Sequence, residues 1–150
     1  MSPKALLQLQ PLTAESLAPL ATLIRGVGGL AEVPQAMEHD DVPGRSALSV
    51  LTRPATPLEG LSLTWLERHP HSAQTFVPIK AGRWMLVLVP DGAGGLPDLS
   101  AAKAYLAGPE DAVVIHQNVW HAGMTVFDEV ADFAMLMWKT EMGEIGRAHV

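Results

Sequence analysis

The sequence predicts an all-β protein, a sandwich or a barrel with one or two short helices. Short runs of the 150-residue chain alternate apolar and polar residues, and glycine (13) and proline (12) interrupt them often. Roughly seven to nine strand candidates follow one another without the regular alternation of strands and helices that marks a parallel sheet. Frequent turns between short strands therefore favour an antiparallel architecture.

The N-terminal third contains few regular elements. TAESLA (13–18) predicts a short helix with Thr13 as its N-cap, and Pro19 prevents a longer one. ATLI (21–24) is apolar and predicts a strand. The polar, proline-bearing stretch 31–45 predicts a loop.

From Ser46 the chain reads as successive strands. Alternation is cleanest over 61–69, whereas 83–90 is almost entirely apolar and predicts a strand buried on both faces. The other strand candidates are 46–53, 74–79, 112–116, 121–128 and 131–138.

One segment of this half predicts a helix instead. PDLSAAKAYLAG (97–108) has proline at its start, Asp98 or Ser100 as a cap and Gly108 at its end. We therefore expect one domain with an N-terminal extension and loop (1–45), a barrel core (46–138) and a charged, loosely attached tail (139–150).

Composition excludes several functions. The chain has no cysteine, which removes disulfides, zinc–thiolate sites and cysteine nucleophiles. Its net charge is −6 without a basic run, so a nucleic-acid partner is not expected. No apolar stretch approaches membrane-spanning length, and the N-terminus does not read as a signal peptide. We expect a cytoplasmic protein without a membrane partner.

The segment ERHPHSAQTFVPIK (67–80) concentrates side chains that carry chemistry. One interpretation pairs His69 with His71, and the other pairs Glu67 with His69. Pro70 favours the second, because proline ends or bends a strand and leaves His71 at the tip of a connection. Gln74 would then return beside Glu67 and His69 on the next strand.

A second group lies in HQNVWHAGM (116–124), where His121 begins a strand after a turn that Asn118 favours. If the two segments face each other, Glu67, His69, Gln74 and His121 offer the mixed nitrogen and oxygen donors that divalent metal ions accept. The donor types alone do not select the metal. Half-buried, hydrogen-bonded histidines and a surface ion pair of Glu67 with Arg68 are the ordinary alternative.

The two segments resemble the paired motifs of metal-binding cupins. Glu67 stands at the first histidine of the first motif, His69 at the second and Gln74 at its glutamate, while His121 is the histidine of the second motif. More closely, ERHPHSAQTFVPIK, PDLSAAKAYLAG, NVWHAGM and ADF resemble the ureidoglycolate lyase family, also called ureidoglycolate hydrolase, over about residues 46–136.

That resemblance implies a cupin-type, jelly-roll β-barrel and a homodimer. It implies a carbon–nitrogen lyase of the amidine-lyase class that cleaves ureidoglycolate to glyoxylate and urea in the breakdown of allantoin and purines. It further implies a metal ion, nickel first, with zinc, manganese, iron or no metal as alternatives. The expected metal ligands are Glu67, His69, Gln74 and His121. The expected catalytic residues are Glu67, His69, His121 and Lys80. Glu67 or His121 would be the base, and Lys80, which falls on the same period-two face as Gln74, would meet a carboxylate.

The chain also departs from the family. Ala122 and Gly123 stand where the family usually has histidine and proline, and Ile115 stands in place of a tyrosine. Met137 and Trp138 replace an Asp-Arg pair, with Lys139 one position later. These departures keep two alternatives open: a cupin enzyme acting on another small hydroxy or keto acid, and a cupin that binds a small ligand without catalysis.

Overall fold

The structure, a computed structural model, describes residues 6–141, 143 and 145–150. Twelve strands and one four-residue α-helix are found in these residues, with short 3₁₀ turns between them. The helix α1 is Ala14–Leu17. The strands are β1 (Leu9–Pro11), β2 (Ala21–Ile24), β3 (Gly44–Arg53), β4 (Trp65–Arg68), β5 (Gln74–Lys80), β6 (Trp84–Val89), β7 (Lys103–Ala107), β8 (Ala112–Ile115), β9 (Trp120–His121), β10 (Thr125–Val126), β11 (Ala131–Thr140) and β12 (Gly146–His149).

The strands form two sheets. The larger has the order β1-β7-β6-β9-β4-β12, with β10 also paired to β6, and the smaller has the order β2-β8-β5-β11-β3. The pairing is antiparallel except between β1 and β7. The predicted all-β class is thereby confirmed.

Apolar side chains fill the space between the sheets. Trp84 of β6 and Phe133 of β11 are fully buried there, with ring centroids 5.4 Å apart in an edge-on contact. A second apolar cluster covers the outer face of the larger sheet, where Leu66 and Trp120 pack beneath Leu61. Since β6 has core on both sides, all its residues are buried, as the sequence predicted.

The predicted helix over 97–108 is wrong. The segment forms a 3₁₀ turn, Leu99–Ala101, that Asp98 caps, followed by strand β7. Helix-favouring alanines are overridden here because β7 pairs with β1 on one side and β6 on the other. Tyr105 fixes the strand further, since its hydroxyl donates to the backbone oxygen of Ser16 at 2.6 Å.

Both ends of the chain contribute to the sheets. The helix α1 has the predicted Thr13 cap, with reciprocal hydrogen bonds between Thr13 and Ser16. Strands β1 and β2 come from the predicted N-terminal extension. The predicted tail supplies β12, which pairs with β4 in full register, Gly146 opposite Arg68 and His149 opposite Trp65. The charged composition of the tail does not predict this strand pairing.

The smaller sheet carries apolar residues on its outer face. Leu48 and Val50 of β3 are 73% and 67% exposed, and Val77 and Ile79 of β5 are 41% and 60% exposed. Strand β11 lies between β3 and β5. This outer face, defined by Leu48, Val50, Val77 and Ile79, differs from that of the larger sheet in having no apolar cluster over it among the described residues.

The predicted loop over 31–45 contains a 3₁₀ turn, Pro34–Met37, and packs against the turn that follows β4. Asp40 accepts hydrogen bonds from His71 at 2.9 Å and from the Gln117 amide at 2.7 Å. These bonds lower the pKa of the Asp40 carboxyl, the Gln117 bond most strongly. No helix among the described residues is long and apolar enough to span a membrane.

Candidate functional site

Two neighbouring strands of the larger sheet bring Glu67 and His121 together. Glu67 of β4 lies directly opposite His121 of β9. Their neighbours Leu66 and Trp120 point into the outer apolar cluster. Because side chains alternate along a strand, Glu67 and His121 point into the space between the sheets.

The chain crosses from one sheet to the other directly after this pair. Strand β4 ends at Arg68, before Pro70, and His69 begins the connection to β5. Gln74 is the first residue of β5, where it lies between Ile115 and Met137 of the smaller sheet. Donors from both walls of the barrel therefore meet where the two sheets approach each other.

The side-chain atoms of this group are close together. Ligand atoms of Glu67, His69 and His121 all lie within 4.8 Å of one another. The distance from His121 Nε2 to Glu67 Oε1 is 3.8 Å, and the two imidazole centroids are 5.5 Å apart. We call Glu67, His69, Gln74 and His121 the donor cluster.

Three atoms of the donor cluster are buried without a hydrogen-bond partner: His69 Nε2, Gln74 Oε1 and His121 Nε2. Such atoms are rare in folded proteins, because each loses its interaction with water without compensation. Three of them in a single cluster indicate a site built to receive a ligand or an ion.

Hydrogen bonds set the orientation of two of these groups. His121 Nδ1 lies 2.9 Å from the carbonyl oxygen of Val119 and donates to it, which leaves the lone pair on Nε2. The Gln74 amide nitrogen donates to Met135 Sδ at 3.2 Å and lies 3.9 Å from Met137 Sδ. The two methionine sulfurs thus hold the amide nitrogen of Gln74, and its Oε1 atom is left without a partner.

Burial keeps both histidines neutral at pH 7. Desolvation lowers the pKa of His121 to about 4, and only the bond to Val119 and the charge of Glu67 oppose it. Burial also lowers the pKa of His69, against an opposing effect of Glu67. Neutral imidazoles are the form that binds metal ions.

The donor cluster fits the metal ion that the family resemblance implies. It offers two imidazole nitrogens, one amide oxygen and one carboxylate, a set that suits nickel, zinc, manganese or iron. The Val119 bond to His121 is the type of second contact that fixes a ligating histidine.

The remaining histidines have other neighbours. His71 Nδ1 lies 2.9 Å from Asp40 Oδ2 at the bend after β4, and His71 is not in the group whose ligand atoms lie within 4.8 Å of one another. His39 stacks on Trp138, with centroids 4.0 Å apart, and His149 meets Trp65 edge-on. His116 lies 2.6 Å from Thr22 Oγ1 and 2.7 Å from the backbone oxygen of Pro19.

Lys80, expected to meet a carboxylate, is not brought to the donor cluster. It is exposed at the far end of β5, opposite Asp132. Gln74 begins the same strand, so roughly 20 Å separate the two residues at the usual rise of a strand. A bulge in the pairing of β5 with β11 follows Asp132.

Two cavities adjoin the donor cluster and share Glu67, Gln74 and Met135 in their walls. One, of about 140 Å³, is lined in part by β3 and by the segment after β9, and its wall includes Arg53. The other, of about 380 Å³, opens beside His69 and is bordered by Lys139. Arg53 was not among the predicted site residues, although alternation along β3 puts it on the same face as the partly buried Leu51.

Comparison with known proteins identifies the family of this chain. The sequence model of the family described as ureidoglycolate lyase matches residues 4–147. The chain belongs to the ureidoglycolate lyase family. Among family members, the ureidoglycolate lyase of Burkholderia cepacia is 32% identical over 148 residues, which cover 91% of this chain and 81% of that protein. The ureidoglycolate lyase of Pseudomonas syringae pv. syringae is 28% identical over 143 residues, covering 85% and 80%.

A shorter match within the ureidoglycolate lyase family is stronger locally. The Escherichia coli (strain SMS-3-5) protein is 41% identical over 73 residues, covering 49% of this chain and 44% of its own. Among solved structures, RmlC from Streptococcus suis in complex with dTDP-D-xylose has a TM-score of 0.47 at 12% identity, and covers 63% of this chain and 44% of that one.

Proposed function

We propose that this protein is a ureidoglycolate lyase, which cleaves ureidoglycolate to glyoxylate and urea in the breakdown of allantoin. The observation that carries the proposal is the donor cluster: three unpartnered polar atoms and one carboxylate, in a member of the ureidoglycolate lyase family. A cytoplasmic location is part of the same proposal.

The reaction needs one proton to move from oxygen to nitrogen. The hydroxyl of ureidoglycolate loses its proton, and the electron pair of that O–H bond forms the carbon–oxygen double bond of the aldehyde. The carbon–nitrogen bond breaks at the same time, and the departing urea nitrogen takes up a proton. Glu67 suits the transfer, because its side chain is 35% exposed and borders both cavities. It can accept the hydroxyl proton and return it to the departing nitrogen.

His121 suits a different role from that of the base. Its free nitrogen is buried beside Glu67, and its other nitrogen is committed to Val119. We therefore propose that His69, Gln74 and His121, together with Glu67, hold a divalent metal ion, nickel first among the candidates. When bound, such an ion would lower the pKa of the substrate hydroxyl and help to orient the substrate.

The test is the stoichiometry of the reaction. The purified protein, supplied with nickel or manganese, should release equal amounts of glyoxylate and urea from ureidoglycolate, measured by coupled assays for both products. Binding of glyoxylate without any cleavage would favour a non-catalytic cupin instead. Cleavage of another hydroxy acid with no release of urea from ureidoglycolate would favour an enzyme with a different substrate.

We also propose that the protein forms a homodimer through the outer face of the smaller sheet. Leu48, Val50, Val77 and Ile79 expose a contiguous apolar surface on strands that pair through β11. Exposed apolar patches of this kind mark interaction surfaces, because water contact with them is unfavourable. A second copy of the same sheet supplies a surface of matching chemistry.

A charged side chain in the middle of this face should dissociate the dimer. We expect Val50→Lys to convert a dimer into a monomer, measured by analytical ultracentrifugation, because it buries an unpaired charge at the contact. Leu30→Lys is the matched control: Leu30 is 96% exposed but lies outside the strands of this face. A Val50→Lys protein that remains dimeric would place the interface elsewhere.

A further inference from the structure

The smaller cavity has one cationic side chain in its wall. Most of the lining is apolar, including Leu51, Phe76 and Ile115, and its charged residues are Arg53 and Glu67. Glu67 belongs to the donor cluster, whose residues Gln74 and His121 also line this cavity with their unpartnered atoms. A ligand in this cavity would thus meet both the hydrogen-bond acceptors of the donor cluster and a guanidinium.

Strand alternation directs Arg53 into this cavity. Along β3, Ala47 and Leu51 are turned inward whereas Leu48 and Val50 are exposed, so Arg53 shares the inward face. Its Nη2 atom lies 3.8 Å from the position that a Cβ atom would take on Gly123, two residues after His121. The guanidinium therefore lies beside the segment that carries a donor-cluster residue.

The backbone around Arg53 is held on both sides. The Thr52 hydroxyl donates to Asp132 at 2.6 Å, and the Thr56 amide donates to the backbone oxygen of Val126 at 2.8 Å. Ala131 is the pairing partner of Arg53 in β11. Because the backbone is already fixed, the segment that carries Arg53 loses less conformational entropy when the side chain binds a ligand.

Arg53 is also available for a ligand. Arg25, Arg68 and Arg83 each pair with an aspartate at 2.7 or 2.8 Å. Within residues 6–141, 143 and 145–150, the Arg53 side chain makes neither a hydrogen bond nor an ion pair, while the Arg53 backbone pairs with Ala131. An unpaired guanidinium in a cavity wall suits a carboxylate, which it can bind through two parallel hydrogen bonds.

We propose that Arg53 binds the carboxylate of the substrate, and that the ligand class of this cavity is a short 2-hydroxy or 2-oxo carboxylate. The inference rests on the proposed function for the identity of the substrate. With the carboxylate on Arg53, a substrate hydroxyl can donate a hydrogen bond to Glu67 or His121, and a ureido group can extend into the larger cavity beside His69. Arg53 is a substrate-binding residue in this arrangement and takes no proton.

Binding of glyoxylate tests the carboxylate site without turnover. Isothermal titration of the metal-supplied protein with glyoxylate should show an affinity about ten- to a hundredfold weaker for Arg53→Ala than for wild type, the usual effect of losing hydrogen bonds between charged groups. Arg53→Lys should recover part of the affinity, because a lysine retains the charge without the paired geometry. Arg45→Ala, at the opposite end of β3, is the matched control and should bind as wild type does.

Steady-state kinetics give a second measurement. Arg53→Ala should raise the KM for ureidoglycolate more than it lowers kcat, while metal content and melting temperature stay those of wild type. Wild-type affinity for glyoxylate in both Arg53 variants would overturn the proposal. It would equally be overturned if Lys139→Ala, and not Arg53→Ala, weakened glyoxylate binding, since the carboxylate would then lie in the larger cavity.

The two proposals fail in different ways. If glyoxylate binding depends on Arg53 but ureidoglycolate is not cleaved, the proposed carboxylate site is supported and the proposed lyase activity is wrong. If wild type and Arg53→Ala cleave ureidoglycolate with the same KM, the proposed lyase activity is supported and the proposed carboxylate site is wrong.

Discussion

Glu67→Gln is expected to lower kcat for ureidoglycolate cleavage by about a hundred- to ten-thousandfold, the range observed when a general base is removed. Glutamine keeps the size and hydrogen-bonding ability of the side chain but cannot accept the hydroxyl proton. Glu67 lies opposite His121 in the sheet, 3.8 Å from its Nε2 atom. The rate is measured from the release of glyoxylate, with the metal content of each preparation determined in parallel.

Glu59→Gln provides the comparison for this substitution. Glu59 is exposed in the connection between β3 and β4, away from the donor cluster, so the same chemical change there should leave kcat unaltered. If Glu67→Gln retained both its metal and the wild-type kcat, another group would have to move the proton.

His69→Ala is expected to weaken the binding of nickel or manganese by more than about a hundredfold. Loss of a residue that merely supports a ligand already costs ten- to a hundredfold in metal affinity, and a lost ligand should cost more. His69 Nε2 is buried without a partner beside His121. Isothermal titration of the metal-free protein measures the effect, and His69→Gln repeats it with less change in volume.

His71→Ala separates the two interpretations of the histidine pair. His71 lies two residues further on and contacts Asp40, so its removal should leave metal affinity as in wild type. Equal losses in His69→Ala and His71→Ala would show that both histidines are ligands. Site-specific binding that is absent already in the wild type would remove the metal from the proposal.

The positions of the strands were easier to predict from the sequence than the strands with which they pair. Alternation and turn residues found the strands around the donor cluster, and Pro70 located the bend that separates His69 from His71. The segment 97–108 was mistaken for a helix because its alanines and capping residues are local signals, whereas β7 is stabilised by pairing with β1 and β6. Local sequence contains no record of such distant partners.

The same limit applies to the site. The spacing of Glu67, His69 and Gln74 indicated a shared location, because these residues are close along the chain. The free nitrogen of His121 depends on the position of the Val119 carbonyl, and the accessible guanidinium of Arg53 depends on its lack of a partner in the described structure. Neither can be read from residue types. Lys80 was expected at the site from its period-two spacing alone, which does not account for distance along the strand.

The cross-strand pairing of Glu67 with His121 makes the site sensitive to the length of its strands. A one-residue insertion or deletion within β4 would reverse its two faces, turning Glu67 outward and Leu66 inward. Connections that carry neither a donor-cluster residue nor a group that orients one are free of that constraint. In the evolution of this protein, changes of length should therefore accumulate in stretches such as 25–33 and 54–64, while β4, β5 and β9 keep their lengths.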